Sequence, residues 1–462
     1  MNRFPVIFMA LANLFIAISL TALRTSGPAV PLSCSLRIFP CPQTAIEGGA
    51  LDPDFEDVAN AFRANFASGQ ELGAQLGMYV KGKKVVDMWG TNGVTPGYNN
   101  ASLQRVFSCT KLMESLAIAI CADKGYLRYD AKISEYWPNF AKHGKDNVTV
   151  EDLMRHSTGL HVFSEPVTRT MLRDYVDRGK TDDLSRLIEE SPQRFHGGKR
   201  MGYHSLTRGF IIAEIVSRVD PKRRLIHKFI HEEILVPMEL TADFQIPLRS
   251  RYEMSRVVKM VQASKLYLLA NYIGPFLLGF EVIPQIKRIV NMYLWEAHSH
   301  PLFASGKVLD YAPQGFESVE PHNDAETYEF VFTSGSGLAT GQALARFAQT
   351  MAAGGVTPSG QRILSEKGYE EATKCDVPEE EDYCLERRLT WTRAGFGCRV
   401  RSKEYPGGLT GWNGWGGSMC YWDRKTGFAM GYAMNQMGFI PLADPRTVPI
   451  VSAAVVALRL KS

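Results

Sequence analysis

The sequence is short of what several functional classes require. It has no dense run of Lys and Arg interleaved with aromatics, and its 52 basic and 48 acidic residues leave a formal charge of +4 spread along 462 residues. The chain therefore offers no basic groove for nucleic acid. No C-x-x-C spacing occurs, so the common cysteine-based zinc and redox motifs are absent. His227 and His231 have the spacing of two imidazoles on one helix face, but lysine stands at position 228 where H-E-x-x-H needs its glutamate base. A solvated helix face is expected there, with no metal and no cofactor.

Long uncharged runs are scarce too, which sets two of them apart. Phe4 to Leu23 is apolar apart from Asn13, Ser19 and Thr21, and it stops at Arg24. That is long for a cleaved signal and just enough for a spanning helix, while Ala17/Ser19 or Gly27/Ala29 would permit cleavage. Residues 1–27 are expected to be a signal peptide or signal anchor, 28–50 a linker, and 51–462 a lumenal or extracellular domain, secreted or held as a type II membrane protein. Two glycosylation sequons agree, Asn100-Ala101-Ser102 and Asn147-Val148-Thr149. The second run, Leu266 to Phe280, is interrupted by Gly274-Pro275 and is too short to span comfortably. It reads as a buried or lid helix pair, or as a membrane-surface contact that admits apolar acyl groups. Eight cysteines include the close pairs Cys34/Cys41 and Cys375/Cys384, each in a loop-like stretch that a local disulfide can staple; Cys121 reads as a buried helical thiol, and Cys398 and Cys420 as strand residues able to face each other.

Strand patterns come first, from Leu72 to Gly90 around Lys81-Gly82-Lys83. A helical pattern runs from Ser108 to about Val219, and strands return in "AGFGCRV", "GSMCYW" and "GFAMGYAMNQM" before a closing helix after Pro449. Two short strand sets with open edges are marginal alone, so the terminal strands are expected to share one sheet around an inserted helical region at about 112–350. The cleft would lie between the two parts.

Ser108 is the only serine with a lysine three residues on, Lys111, and an apolar helix begins there. The spacing puts both on one face near the helix N-terminus, where a lysine depressed by burial can accept the serine proton. A tyrosine to relay that proton is offered twice. Tyr98-Asn99-Asn100 lies in a Gly/Pro/Asn loop containing a sequon and is set aside; Tyr203-His204-Ser205 opens an apolar helix and can project a phenol and the Ser205 hydroxyl into a cleft.

With those residues in place the chain resembles the serine beta-lactamase-related family, particularly its class C-like esterases. The matching stretches are "GMYVKGKKVVDMWG", "FSCTKLM", "VTVEDLMRHSTGL", "GYHSLTRGFIIAEIVSRV", "GLATGQALARFAQTMAAGG" and "GWGGSMCYWDRKTGFAMGYAMNQM", in the family order. The resemblance implies an α+β transpeptidase-like fold: an antiparallel sheet of N- and C-terminal strands flanked by helices, an inserted all-helical subdomain, and the active site between them. It implies Ser108 as nucleophile, Lys111 and Tyr203 as proton relay, and backbone N–H groups of Ser108 and Ser418 as oxyanion donors.

The family's third motif lies on a strand lining the cleft, and two stretches compete for it. Lys425-Thr426-Gly427 falls at a hairpin tip, some 20 Å or more along the strand from Gly417 at about 3.3 Å per residue. Trp415-Gly416-Gly417 instead matches the W-G-G variant of class C-like esterases. Without a cation there, the resemblance favours uncharged acyl substrates, small or lipid-like; Trp412 stands where related esterases often have histidine. No E-x-x-L-N occurs, so glutamate-based deacylation is not supported. The rival reading is a catalytically weak or inactive descendant that binds or scaffolds.

Overall fold

The computed structural model describes residues 43–179, 181–195, 200–248, 250–262, 301–400, 408–438 and 444–460. Phe4 to Leu23, Cys34/Cys41 and Leu266 to Phe280 lie outside them. Among the described residues no helix is long and apolar enough to cross a membrane.

Seven antiparallel strands form the main sheet: β1 (Ala45–Ala50), β2 (Gly73–Val80), β3 (Lys83–Thr91), β4 (Gly397–Val400), β5 (Leu409–Asn413), β6 (Met419–Asp423) and β7 (Phe428–Met434). Their order is β1-β3-β2-β7-β6-β5-β4. The N-terminal and C-terminal sets meet at β2 and β7, in register from Val80↔Phe428 to Ala74↔Met434. The β2–β3 turn is the two-residue Lys81-Gly82, both at positive φ (49° and 83°), a backbone whose twist matches that of the strands.

Alternation along β7 sorts the layers. Phe428, Met430, Tyr432 and Met434 pack with Phe62 and Phe66 of α1 (Glu56–Ala67) and with Ile450 and Ala454 of the C-terminal helix Thr447–Leu460. Ala429 and Ala433 belong to the opposite cluster, where Gly431 is essential: a Cβ there would lie 2.2 Å from Ala345 N. Small residues on that face let the helix Gly341–Ala352 lie directly on the sheet.

The helical lobe is built on α2 (Lys111–Asp123), in which every residue from Lys111 to Cys121 is buried, and on α3 (Thr207–Val219). It is not purely helical. Phe244–Gln245 and Leu338–Ala339 are short strands that pair with each other, and Leu338–Ala339 also pairs with Gln104–Arg105. The helix Gly341–Ala352, placed by its sequence at the end of the lobe, belongs to the sheet.

Two other expectations need correction. The stretch 28–50 is not linker throughout, because Ala45–Ala50 is the edge strand β1, paired with β3. None of its residues is fully buried, so it carries no apolar alternation to betray it. The second correction concerns the cysteines: Cys375 bonds Cys398, with Cα atoms 6.4 Å apart, and Cys384 is a buried free thiol. Cys398 cannot pair with Cys420, since β5 separates their strands and two strand spacings are about 9.5 Å. Cys420 instead points at the Leu344 carbonyl, 3.3 Å away.

Candidate active site

The chain enters the site along Gln104–Arg105 and turns sharply. Phe107 has φ +42°, a left-handed conformation that costs a bulky residue about 1–3 kcal/mol. The surroundings hold it: Thr110 Oγ1 donates to Phe107 O (2.5 Å) and accepts from Gly337 N (3.0 Å), while Val106 N donates to Gly337 O (3.0 Å). The turn continues as the short helix Phe107–Thr110 into α2. Within the run Ser102–Cys121 only Ser108 is more than marginally exposed.

Lys111 is 1 % exposed and its ammonium has three neighbours: Ser205 O at 2.6 Å, Ser334 O at 2.9 Å and Ser108 Oγ at 3.4 Å. Burial pulls its pKa down from 10.5 to about 7; Glu114 opposes that shift and Arg208 reinforces it. A neutral amine has two hydrogens and one lone pair. Carbonyl oxygens can only accept, so they take the hydrogens and the lone pair is left for Ser108 Oγ. Glu114 is held by Arg208 Nε (2.6 Å, both side chains fully buried) and by Thr333 Oγ1 (2.9 Å).

Tyr203 lies four residues before α3, stacked on Trp391 at 5.9 Å with its ring 5.1 Å from Lys111 Nζ. Burial raises its phenol pKa, while Ser108 and the Trp412 indole work the other way. Trp412 Nε1 donates to Tyr203 Oη at 3.0 Å. Asp382 Oδ1 accepts the backbone N–H of Tyr203 (3.1 Å), Cys384 (2.9 Å) and Leu385 (2.8 Å), which pins the loop carrying the phenol. The Ser205 hydroxyl faces away from the site, donating to Ser305 O at 2.9 Å; it is the Ser205 carbonyl that meets Lys111. Tyr98 is a buried structural group whose hydroxyl donates to Gln104 Oε1 (2.9 Å).

The third wall is the turn between β5 and β6. Ser418 Oγ donates to Val106 O at 2.9 Å, which docks the turn two residues ahead of Ser108. Gly416 and Gly417 have φ of +91° and +123°, and a Cβ on Gly417 would meet Arg446 Nη2 at 2.6 Å. Arg446 donates to Gly416 O (2.5 Å) and is itself held by Asp444 and Glu71. Among the described residues neither the Ser108 nor the Ser418 N–H has a hydrogen-bond partner. Trp415 sits with Phe107 at 5.0 Å and Phe316 at 5.1 Å between ring centroids. Lys425 and Thr426 occupy the β6–β7 turn, with both backbone N–H groups donating to Asp423.

The structure thus gathers Ser108, Lys111, Tyr203 and the W-G-G turn, and leaves K-T-G apart. Sequence reasoning missed Glu114, Arg208, Ser334 and Asp382. A glutamate three residues after Lys111 in an apolar helix was a usable signal; Asp382, in an acidic loop, offered none. No group of three or more His, Cys, Asp or Glu among the described residues is arranged to hold a metal ion.

Fold and site define a class: a serine hydrolase with a sheet of terminal strands, an inserted lobe and a serine-lysine pair at their junction. The chain belongs to the Beta-lactamase family, whose profile matches residues 58–454. It is 28% identical over 393 residues to the esterase/beta-lactamase LipL of Mycobacterium tuberculosis, covering 84% of this chain and 83% of that one. Among solved structures it resembles a family VIII carboxylesterase (TM-score 0.70, 28% identity) and a penicillin-binding protein homolog from Caulobacter crescentus (TM-score 0.70, 28% identity). Each alignment covers 89% of this chain and 100% of the other.

Proposed function

We propose that the chain is a serine esterase acting on uncharged acyl substrates, small or lipid-like, through a Ser108–Lys111–Tyr203 acyl-enzyme mechanism. The observation that carries this reading is the placement of the Lys111 nitrogen, 2.6 and 2.9 Å from two carbonyl oxygens and 3.4 Å from Ser108 Oγ, so that once the amine is neutral its lone pair is left for Ser108. Lys111 takes the serine proton as Oγ bonds the substrate carbonyl carbon. The resulting oxyanion is met by the free N–H groups of Ser108 and Ser418, each such donor contributing about 3–4 kcal/mol in the transition state. Collapse breaks the ester C–O bond, and the proton returns to the departing alkoxide through Lys111 and Tyr203. Water, activated by the same pair, then releases the acid and regenerates Ser108.

Ester preference rests on two supports. The chain's relatives include a carboxylesterase, and Trp415, Phe107 and Phe316 form an aromatic wall beside Ser108 with no lysine in the turn to hold a carboxylate. The test is a p-nitrophenyl ester series from acetate to decanoate beside a chromogenic cephalosporin. Rates that rise with chain length by up to about threefold per methylene until the wall is covered support the reading; a cephalosporin as best substrate overturns it. Placement in the secretory pathway is part of the same proposal. Asn100 and Asn147 are both exposed, so a gel shift on endoglycosidase treatment of protein expressed in animal cells is expected, and its absence counts against that compartment.

A further inference from the structure

Three residues ahead of Ser108, Arg105 is 1 % exposed. Its Nη2 donates to Thr327 O (3.2 Å) and Oγ1 (3.1 Å), but among the described residues Nε and Nη1 have no hydrogen-bond partner and no carboxylate pairs with it. The guanidinium cannot shed its proton, so the positive charge is permanent. The Tyr328 ring face, 5.1 Å away, compensates only in part. Two more polar groups nearby have no partner among the described residues: the Tyr311 hydroxyl and His322 Nδ1, on rings whose centroids are 5.7 Å apart. Both residues couple electrostatically to Arg105, and both are more than nine-tenths buried. Among the described residues no carboxylate acts on Arg105 itself, although Asp310 acts on the Tyr311 phenol and Asp324 and Glu320 on Tyr328, and a buried cation beside unpaired polar groups is strongly unfavourable unless a negative charge is supplied.

We propose that Arg105, Tyr311 and His322 bind a small monovalent inorganic anion of the halide class. Residues so little exposed exclude an acyl chain, which restricts the anion to a small one. The imidazole in its Nδ1–H tautomer and the phenol donate to the anion while Arg105 balances its charge. The site lies against the catalytic turn, because the His322 ring packs edge-on to Phe107 at 5.7 Å and near Trp415 at 6.1 Å. A bound anion thereby stiffens the strained segment that presents Ser108. The inference does not depend on the hydrolase reading, and its measurements need no turnover.

The full chain is exchanged into sodium gluconate and titrated with sodium chloride at constant ionic strength while Tm is followed. A saturable rise of about 2 °C or more with chloride or bromide, and none with gluconate, is expected. Crystals grown in sodium bromide should show an anomalous peak bounded by Arg105, Tyr311 and His322. Arg105→Gln should abolish the chloride response. Because that variant can fail to fold, Tyr311→Phe, which loses only a hydroxyl, provides the second test: its half-saturating chloride concentration should rise by about tenfold. Equal Tm in gluconate and chloride, a site holding only water, a response to acetate but not chloride, or unchanged half-saturation in Tyr311→Phe would each overturn the proposal.

Discussion

Trp412 donates its indole N–H to the Tyr203 hydroxyl across 3.0 Å, so a neutral donor occupies the position where the resemblance to class C-like esterases leads one to expect histidine. The consequence is directional. A phenol oxygen that accepts from Trp412 has its own proton free for Ser108 or Lys111, and a phenolate formed during turnover keeps one fixed donor. The substitution of tryptophan for histidine is thus compatible with catalysis.

Removing that donor tests it. Replacing Trp412 with 3-benzothienylalanine puts sulfur in place of the indole N–H and keeps the bicyclic ring against Tyr203 and Trp391, so kcat should fall by about tenfold with Tm nearly unchanged, the scale of one hydrogen bond to a developing charge. Steady-state kinetics on a p-nitrophenyl ester provide the check.

Lys111 must be neutral to accept a proton, and its pKa is lowered to about 7. Below that value it is charged, so kcat/KM should drop about tenfold per pH unit on the acid side and level off above it. Lys111→Ala and Lys111→Arg should both abolish this limb together with activity. A flat profile from pH 5 to 8 would show that Lys111 is not the base.

The Glu114–Arg208 pair is fully buried on both sides. Breaking it by Glu114→Ala or Arg208→Met leaves an uncompensated charge or empties the space behind Lys111. A loss of about 3–5 kcal/mol in unfolding free energy is expected by urea titration.

Lys425→Ala and Thr426→Ala should leave kcat/KM within about twofold of the parent, since surface turn substitutions are usually worth less than about 0.5 kcal/mol. Asp423 accepts both backbone N–H groups whichever side chains the turn carries. A hundredfold loss in ester hydrolysis would mean that this turn does reach the substrate.

How far the sequence reveals this molecule depends on the kind of signal each part carries. Strands β2, β3, β6 and β7 are apolar enough to read, and their sharing of one sheet follows from the instability of isolated hairpins. Edge strand β1 has no fully buried residue, so its pairing with β3 leaves no mark in the pattern. Ser108 and Lys111 are legible because helix geometry fixes a separation of three residues. Ser334, Asp382 and Trp412 act from other segments, through a carbonyl, a loop-capping carboxylate and an indole N–H. Contacts of that kind depend on tertiary packing, which no local spacing encodes. Ser205 marks the same boundary: its position is right, but its carbonyl faces Lys111 while its hydroxyl is bound to Ser305.

The central claim is a covalent acyl group on Ser108, which intact-protein mass spectrometry with peptide mapping measures directly. Rapidly quenched reaction with p-nitrophenyl butyrate should add one butyryl group to the peptide containing Ser108. The adduct should accumulate further in Tyr203→Phe, where deacylation is slowed, and be missing from Ser108→Ala. Hydrolysis without any adduct on Ser108, or an adduct mapped to Cys109 or another residue in the active protein, would contradict the account.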